Sequence, residues 1–297
     1  MKFVLIGAIL LLSQQIQPDH SLTIIHNNHV IEKVNRNDAA LLMQETFMID
    51  ETKLTKIMNH LDNQMYKAPV NAEMDKSGKI IPEKTGYKLH RENFNEKFHM
   101  YFFGSGAARM EAPKIKLYPR VDKELLNSIR TARIGTYVTF FNKNNIQRTK
   151  NIHLAAEAIN NKVVFPGETF SFNGVVGNRT AARGYMKAPI IIRGELSEGI
   201  GGGICQVSST LFNAIDNAGL KVIERYSHSR RVPYVPAGRD ATVSWYGPDF
   251  RFTNKYSEPV LIRAAVYGAS VMVTIYSTNE VAYEKRSEPR NQPVKMR

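Results

Sequence analysis

The run Gly201-Gly202-Gly203-Ile204-Cys205 constrains this chain more than any other segment. Glycines take backbone angles closed to other residues and let a substrate approach the main chain. Leu211, Phe212, Ile215 and Ala218 follow at the spacing of one helix face, and Gly219 stands where such a helix would end. The single cysteine of the chain therefore falls at the start of a helix. There, free N–H groups and partial positive charge favour the thiolate. The N–H groups of Cys205 and Gln206 are candidate donors to a tetrahedral oxyanion, beside the open backbone of Gly202 and Gly203. The Gln206 side chain is a further candidate donor, or equally a capping or packing group.

A thiolate nucleophile also needs an imidazole. His228 follows the apolar stretch Lys221–Tyr226, expected to be a strand, and Asp240 precedes Ala241–Tyr246, also expected to be a strand. The order is cysteine at a helix start, histidine at the next strand and acid at the one after. It matches the order in papain-like and transglutaminase-like cores, where the acid orients the imidazole toward the thiol. Arg239 would orient a substrate carboxylate. Each residue also has a plainer reading: Cys205 as a buried core thiol, His228 as a structural histidine, and Asp240 as the partner of an arginine. His153 and Glu157 are one helical turn apart without a third ligand, so no metal or other cofactor is expected.

The surrounding pattern is α+β with two domains. Residues 1–19 form an apolar leader: Lys2 precedes the ten-residue run Phe3–Leu12, which has the form of a signal peptide and is too short to span a bilayer. Residues 20–130 form an α+β region. In it, Leu54, Ile57, Met58, Leu61 and Met65 share a helix face behind Asp50 as N-cap. A hairpin turns at Asp75–Gly78, a second helix carries Phe94, Phe98 and Tyr101, and Asp122 caps a short helix. Residues 131–277 are expected to form a helix-packed antiparallel sheet. Its strands are Thr136–Phe141, Val163–Phe165, Lys221–Tyr226, Ala241–Tyr246, Val260–Tyr267 and Ser270–Tyr276, and one helix runs from Thr149 to Asn160. Residues 278–297 form a polar, basic tail expected to be disordered. No later segment is apolar enough for a transmembrane span.

Forty Lys and Arg against 27 Asp and Glu leave a net charge of +13, which favours anionic partners such as an acidic wall polymer. The basic residues are scattered and do not interleave with aromatics, which argues against nucleic acid. One cysteine excludes an internal disulfide.

The segments GGGICQVSSTLFNAIDNAGLKVIERYSHS and VPYVPAGRDATVSWYGPDFRFTN, with FPGETFSFNGVVGNRTAARGYMKAPIIIRGE upstream, resemble the VanW family over roughly Tyr137–Tyr276. Asp50–Val121 is similar, at the level of pattern, to the peptidoglycan-binding domain that often precedes VanW domains. The resemblance implies a bacterial envelope protein, exported to the cell wall or the outer face of the cytoplasmic membrane. Some members act as L,D-transpeptidases through the motif cysteine, which makes Cys205 the nucleophile. Peptidoglycan stem peptides are then the substrate, carried as a thioacyl-enzyme. The alternative is a non-enzymatic peptidoglycan-binding or glycopeptide-resistance accessory protein with an inert cysteine.

Overall fold

The computed structural model describes residues 20–43, 46–192 and 195–283. The leader expected at 1–19 and the tail from residue 284 onward lie outside the described residues. The described chain is mixed α/β, with six α-helices and several small sheets. It divides into two compact units. Among the described residues, the first comprises 20–70 with Lys84–Pro119, and the second Asn71–Glu83 with 120–283. The sequence drew its division at residue 130. The structure instead groups the hairpin around Asp75, and the chain from Arg120, with the second unit. The hairpin's Met74 exchanges backbone hydrogen bonds with the side chain of Asn161, and Ala72 shares a small core with Val121, Leu126 and Leu261.

In the first unit, strands His29–Val34, Leu22–His26 and Ala108–Glu111 form a sheet in that order. Helices Glu51–Met65 and Arg91–Phe103 bury Leu54, Leu61, Phe94 and Phe98 in the same core. Asp50 caps the first helix by accepting from the Thr52 and Lys53 N–H groups. Of the five positions its periodicity indicates, Leu54, Met58, Leu61 and Met65 are buried, and Ile57 is partly buried against the same core.

The second unit is built on a four-stranded antiparallel sheet. Its order is Ala132–Phe140, Ser270–Ser277, Val260–Tyr267 and Lys162–Val164. Helices Ile146–Ile159 and Ile204–Asn217 pack on it around Ile152, Ile159, Leu211, Ile215, Ile262 and Val273. Gly135 sets how closely the second of these helices approaches. A Cβ at that position would lie 2.3 Å from the Ala214 carbonyl oxygen and 2.7 Å from the Ala218 nitrogen. A smaller antiparallel sheet joins Thr169–Ser171, Arg251–Thr253 and Lys221–Glu224, and stacks Phe170 on Phe252. Lys187–Ile192 and Glu195–Ile200 form a hairpin that the glycine-rich sequence did not announce.

Ala241–Tyr246 is not a strand. Ala241 and Val243 are buried on either side of Thr242, but Ser244, Trp245 and Tyr246 are all exposed, so the strand alternation stops at Val243. The Thr242 and Ser244 N–H groups bond to the carbonyls of Tyr226 and Pro248, and the N–H groups of Ala241 and Val243 are met by side chains of the cysteine helix. Ala241 donates its N–H to Ser209 and accepts at its carbonyl from Ser208, and Val243 donates its N–H to the Cys205 sulfur. Residues 225–250 are therefore a long irregular excursion between Glu224 and Arg251, laid against that helix.

Candidate active site

The helix Ile204–Asn217 is buried on every side, and this is what makes a site. Its apolar positions face the sheet. Its polar positions Ser208, Ser209, Asn213 and Asp216, all buried, face the 225–250 excursion. Ser and Asn are poor helix formers because they prefer to bond to backbone, and here they do so across to the loop. The Asn213 side chain donates to the Arg239 carbonyl at 2.8 Å and accepts from Arg239 Nε at 2.7 Å. Asp216 pairs with Arg239 Nη1 at 2.8 Å. Arg225, 3% exposed, lies 4.4 Å over the Phe212 ring and donates to the carbonyls of Gly238 and Asp240. The loop is thus held from both ends, and Asp240 is fixed between Arg225 and the helix.

His228 and Asp240 meet on this loop beside Cys205. One carboxylate oxygen of Asp240 accepts from the His228 backbone N–H and from its ring Nδ1, each at 2.6 Å. That leaves Nε2 of the ring free of Asp240, and the ring lies near enough to Cys205 for each to shift the other's pKa. The Cys205 thiol is half-buried. It sits 3.4 Å from the Val243 carbonyl, 3.5 Å from the Val243 N–H and 3.7 Å from the Thr242 hydroxyl.

The electrostatics are those of an ion pair. Burial pushes the Cys205 thiol up, but the hydrogen bond and charge of His228, aided by the Val243 N–H, outweigh it. The thiol is held below its ordinary value of 9.0. Burial also works against the imidazolium, yet Asp240 and then Cys205 raise His228 from 6.5 to about 9. Burial favours a neutral Asp240, and the bonds from His228 overcome it and hold the carboxyl below its usual range. The shifts of all three groups favour the charged forms: the thiol is drawn toward thiolate, the ring toward imidazolium, and Asp240 toward carboxylate.

The glycine run shapes the approach to the sulfur. Gly203 has φ of 104°, a left-handed conformation that turns the chain into the helix. Gly202 lies so close to the neighbouring hairpin that a Cβ would fall 2.6 Å from the carbonyl oxygens of Ala188 and Pro189. Asn151, fully buried, ties this turn down by donating to the carbonyls of Gly202 and Met186. A groove of about 1250 Å³ opens over Cys205 and His228. Its walls include Ile190, Ile191, Val232, Tyr234, Trp245 and Arg179.

Two of the residues named from the sequence are placed differently from their expected task. The Gln206 side chain is fully buried. Its carbonyl accepts from Arg148, and its amide nitrogen donates to Thr139 and to the Phe140 carbonyl. Its backbone N–H donates to Gly203 at 3.0 Å, so the Cys205 N–H, in the first turn of the helix, is the main-chain donor left to face a substrate. Arg239 is turned to Asp216 and Asn213 and does not border the groove.

The arginines that do line it, Arg148 and Arg179, were not picked out from sequence, nor was Tyr234, whose phenol is held by burial well above its ordinary pKa. Arg148 carried a signal. It stands four residues before Ile152 on the otherwise apolar inward face of its helix. Arg179 lies in an irregular loop where no periodicity marks it. Among the described residues no cluster of three potential metal ligands occurs, and no helix is long and apolar enough to cross a membrane.

Comparison with known proteins adds an independent line. A family model described as VanW like protein matches residues 147–276, which include every residue of the thiol, imidazole and carboxylate array. The chain is 52% identical over 287 residues to the protein called uncharacterized protein YoaR of Bacillus subtilis, covering 97% of this chain and 95% of that one. It is 33% identical over 109 residues to the vancomycin B-type resistance protein VanW of Enterococcus faecalis, covering 35% of this chain and 40% of that protein. No solved structure matches the chain.

Proposed function

This chain belongs to the VanW-like family, and we propose that it is a cysteine acyltransferase of L,D-transpeptidase type acting on peptidoglycan stem peptides. The observation that carries the reading is that Cys205 and His228 line one open groove, with Asp240 bonded to the far side of the ring and thiol and imidazole displaced toward the charged pair. A thiolate is the nucleophilic form of cysteine, and structural thiols are not held in it. The order of the three groups along the chain agrees with that of papain-like and transglutaminase-like enzymes.

In the first half-reaction the Cys205 sulfur attacks the carbonyl carbon of the third stem residue. The developing oxyanion is met by the Cys205 N–H. The C–N bond to the terminal D-alanine then breaks, and the His228 imidazolium gives its proton to the leaving amine. A thioester and a neutral imidazole remain. In the second half, His228 removes a proton from the amine of a neighbouring stem as that amine attacks the thioester. The C–S bond breaks, the thiolate returns, and a 3→3 cross-link is formed. Water in place of the amine gives D-alanine release alone. Asp240 holds the ring with Nε2 toward the sulfur and keeps it charged between turnovers.

The same reading places the chain outside the cytoplasm, at the cell wall or the outer face of the membrane, where its net charge of +13 suits an anionic wall polymer. The test is incubation with purified disaccharide-tetrapeptide followed by mass analysis. The expected products are D-alanine and a 3→3 dimer, both absent with Cys205→Ala. Full activity in Cys205→Ala would end the assignment of the nucleophile. Binding without turnover in the native protein would mark it as an accessory module.

A further inference from the structure

We propose that Arg148 and Arg179 form a carboxylate clamp beside Cys205, which restricts the groove to peptide donors ending in a free α-carboxylate one residue beyond the bond to be broken. The proposal rests on the acyl-transfer reading for the identity of the reacting bond. The anion site itself rests on the geometry of the two arginines.

Both arginines are built against the glycine run that leads into the cysteine helix. The Arg148 stem packs on Gly203, where a Cβ would fall 2.8 Å from Arg148 Cγ. The Arg179 stem packs on Gly201, 3.4 and 3.5 Å from where its Cβ would be. The two stems therefore back the turn from which Cys205 emerges, and both guanidinium groups feel the charge of the sulfur.

Neither forms an ion pair with a carboxylate among the described residues. Arg148 Nη2 donates to the neutral amide of Gln206 at 2.7 Å, and Arg179 Nη2 to the neutral amide of Asn173 at 2.7 Å. Asp249 lies within electrostatic reach of Arg179, but its two oxygens accept from the Ser171 hydroxyl and the N–H groups of Asn173 and Phe250. Arg179 Nη1 is sealed from solvent and has no hydrogen-bond partner among the described residues.

Two partly buried guanidinium groups that hydrogen-bond to neutral amides are poorly compensated, and an anion in the groove they line would offset that cost. The charges around the sulfur point the same way. Arg148, Arg179 and the His228 imidazolium face one thiolate, while Asp240 is committed to His228. A fork of two arginines suits the planar carboxylate. When the terminal residue leaves as an amine, its own carboxylate is the anion nearest the broken bond.

The test uses acetyl-lysyl-D-alanine and its C-terminal amide. Binding is measured on Cys205→Ala, and turnover on protein with the cysteine intact. The free acid is expected to bind the Cys205→Ala protein about 10- to 100-fold more tightly than the amide, the range of a charge-assisted hydrogen bond. Arg179→Gln and Arg148→Gln should collapse that ratio toward one, and Arg179→Lys should restore part of it. Equal binding of acid and amide, or no saturable binding of the acid, overturns the clamp. So does a ratio unchanged in folded Arg179→Gln, with folding checked by its thermal melt. Discrimination without any product would leave the clamp standing and end the acyl-transfer reading. Product from acid and amide alike would do the reverse.

Discussion

Replacing Asp240 with Asn tests the ion pair most directly. The substitution keeps shape, and an Asn oxygen still accepts from His228 Nδ1, so the ring stays in place while the charge behind it is removed. The rise of His228 from 6.5 to about 9 corresponds to about 3 kcal/mol of preference for the imidazolium. The His228 side chain is only 7% exposed, so solvent screens little of this. The bond to Asp240 is the largest single interaction that raises it, with those of Cys205 following. If removing the Asp240 charge forfeits half of the preference, the loss is about 1.5 kcal/mol, or about one pH unit. Because the imidazolium is the main support of the thiolate, the loss passes to Cys205. The assay is the rate of iodoacetamide alkylation of Cys205 across pH 5 to 10, which follows the thiolate fraction. The native midpoint should lie below that of an ordinary thiol, and Asp240→Asn should raise it by about one to two units. At pH 6 the variant should react about tenfold or more slowly. The two titrations are coupled, so the midpoint belongs to the pair rather than to either group. Coincident pH profiles for native protein and Asp240→Asn, or a native midpoint no lower than a free thiol's, would refute the electrostatic argument.

In Cys205→Ala the His228–Asp240 pair titrates without the sulfur. A histidine raised in the folded state contributes stability that is complete below its unfolded value near 6.5 and is lost as pH rises through the folded value. Without the sulfur the folded value lies below about 9 but stays raised by Asp240. The melting temperature of Cys205→Ala should therefore fall as pH rises above 6.5, and that fall should disappear in Cys205→Ala combined with Asp240→Asn. Arg239→Ala removes one partner of a carboxylate that is 1% exposed and should cost about 1–3 kcal/mol in urea unfolding. It should affect KM little, because Arg239 does not border the groove; a raised KM in well-folded protein would return it to the substrate. Gly135→Ala forces a methyl into the Ala214 carbonyl and should lower stability by about 1–3 kcal/mol, read as a shifted unfolding midpoint. An unshifted midpoint would mean that the helix and sheet can separate there at no cost.

The sequence determined the elements that repeat a pattern over several turns or a full strand. Glu51–Met65, Arg91–Phe103 and Ile146–Ile159 are helices with the buried faces their spacing shows, Asp50 and Asp122 cap as their side chains allow, and Val260–Tyr267 with Ser270–Ser277 pair as antiparallel strands. It also placed Cys205 in the first turn of a helix behind glycine, because helix starts and glycine turns are local chemistry. What the tertiary structure decided is everything that depends on segments distant along the chain. Ala241–Tyr246 looks like a strand in isolation and is not one, since Ser208, Ser209 and Cys205 take its backbone bonds before any strand does. Arg239 and Gln206 are read from sequence as substrate donors, but folding turns one to Asp216 and the other to Arg148 and Thr139. Arg148 and Arg179 reach the groove from segments some 60 and 25 residues upstream of the cysteine. A side chain's type fixes which bonds it can make. Only the packed chain fixes which partners lie within the roughly 3 Å over which those bonds form.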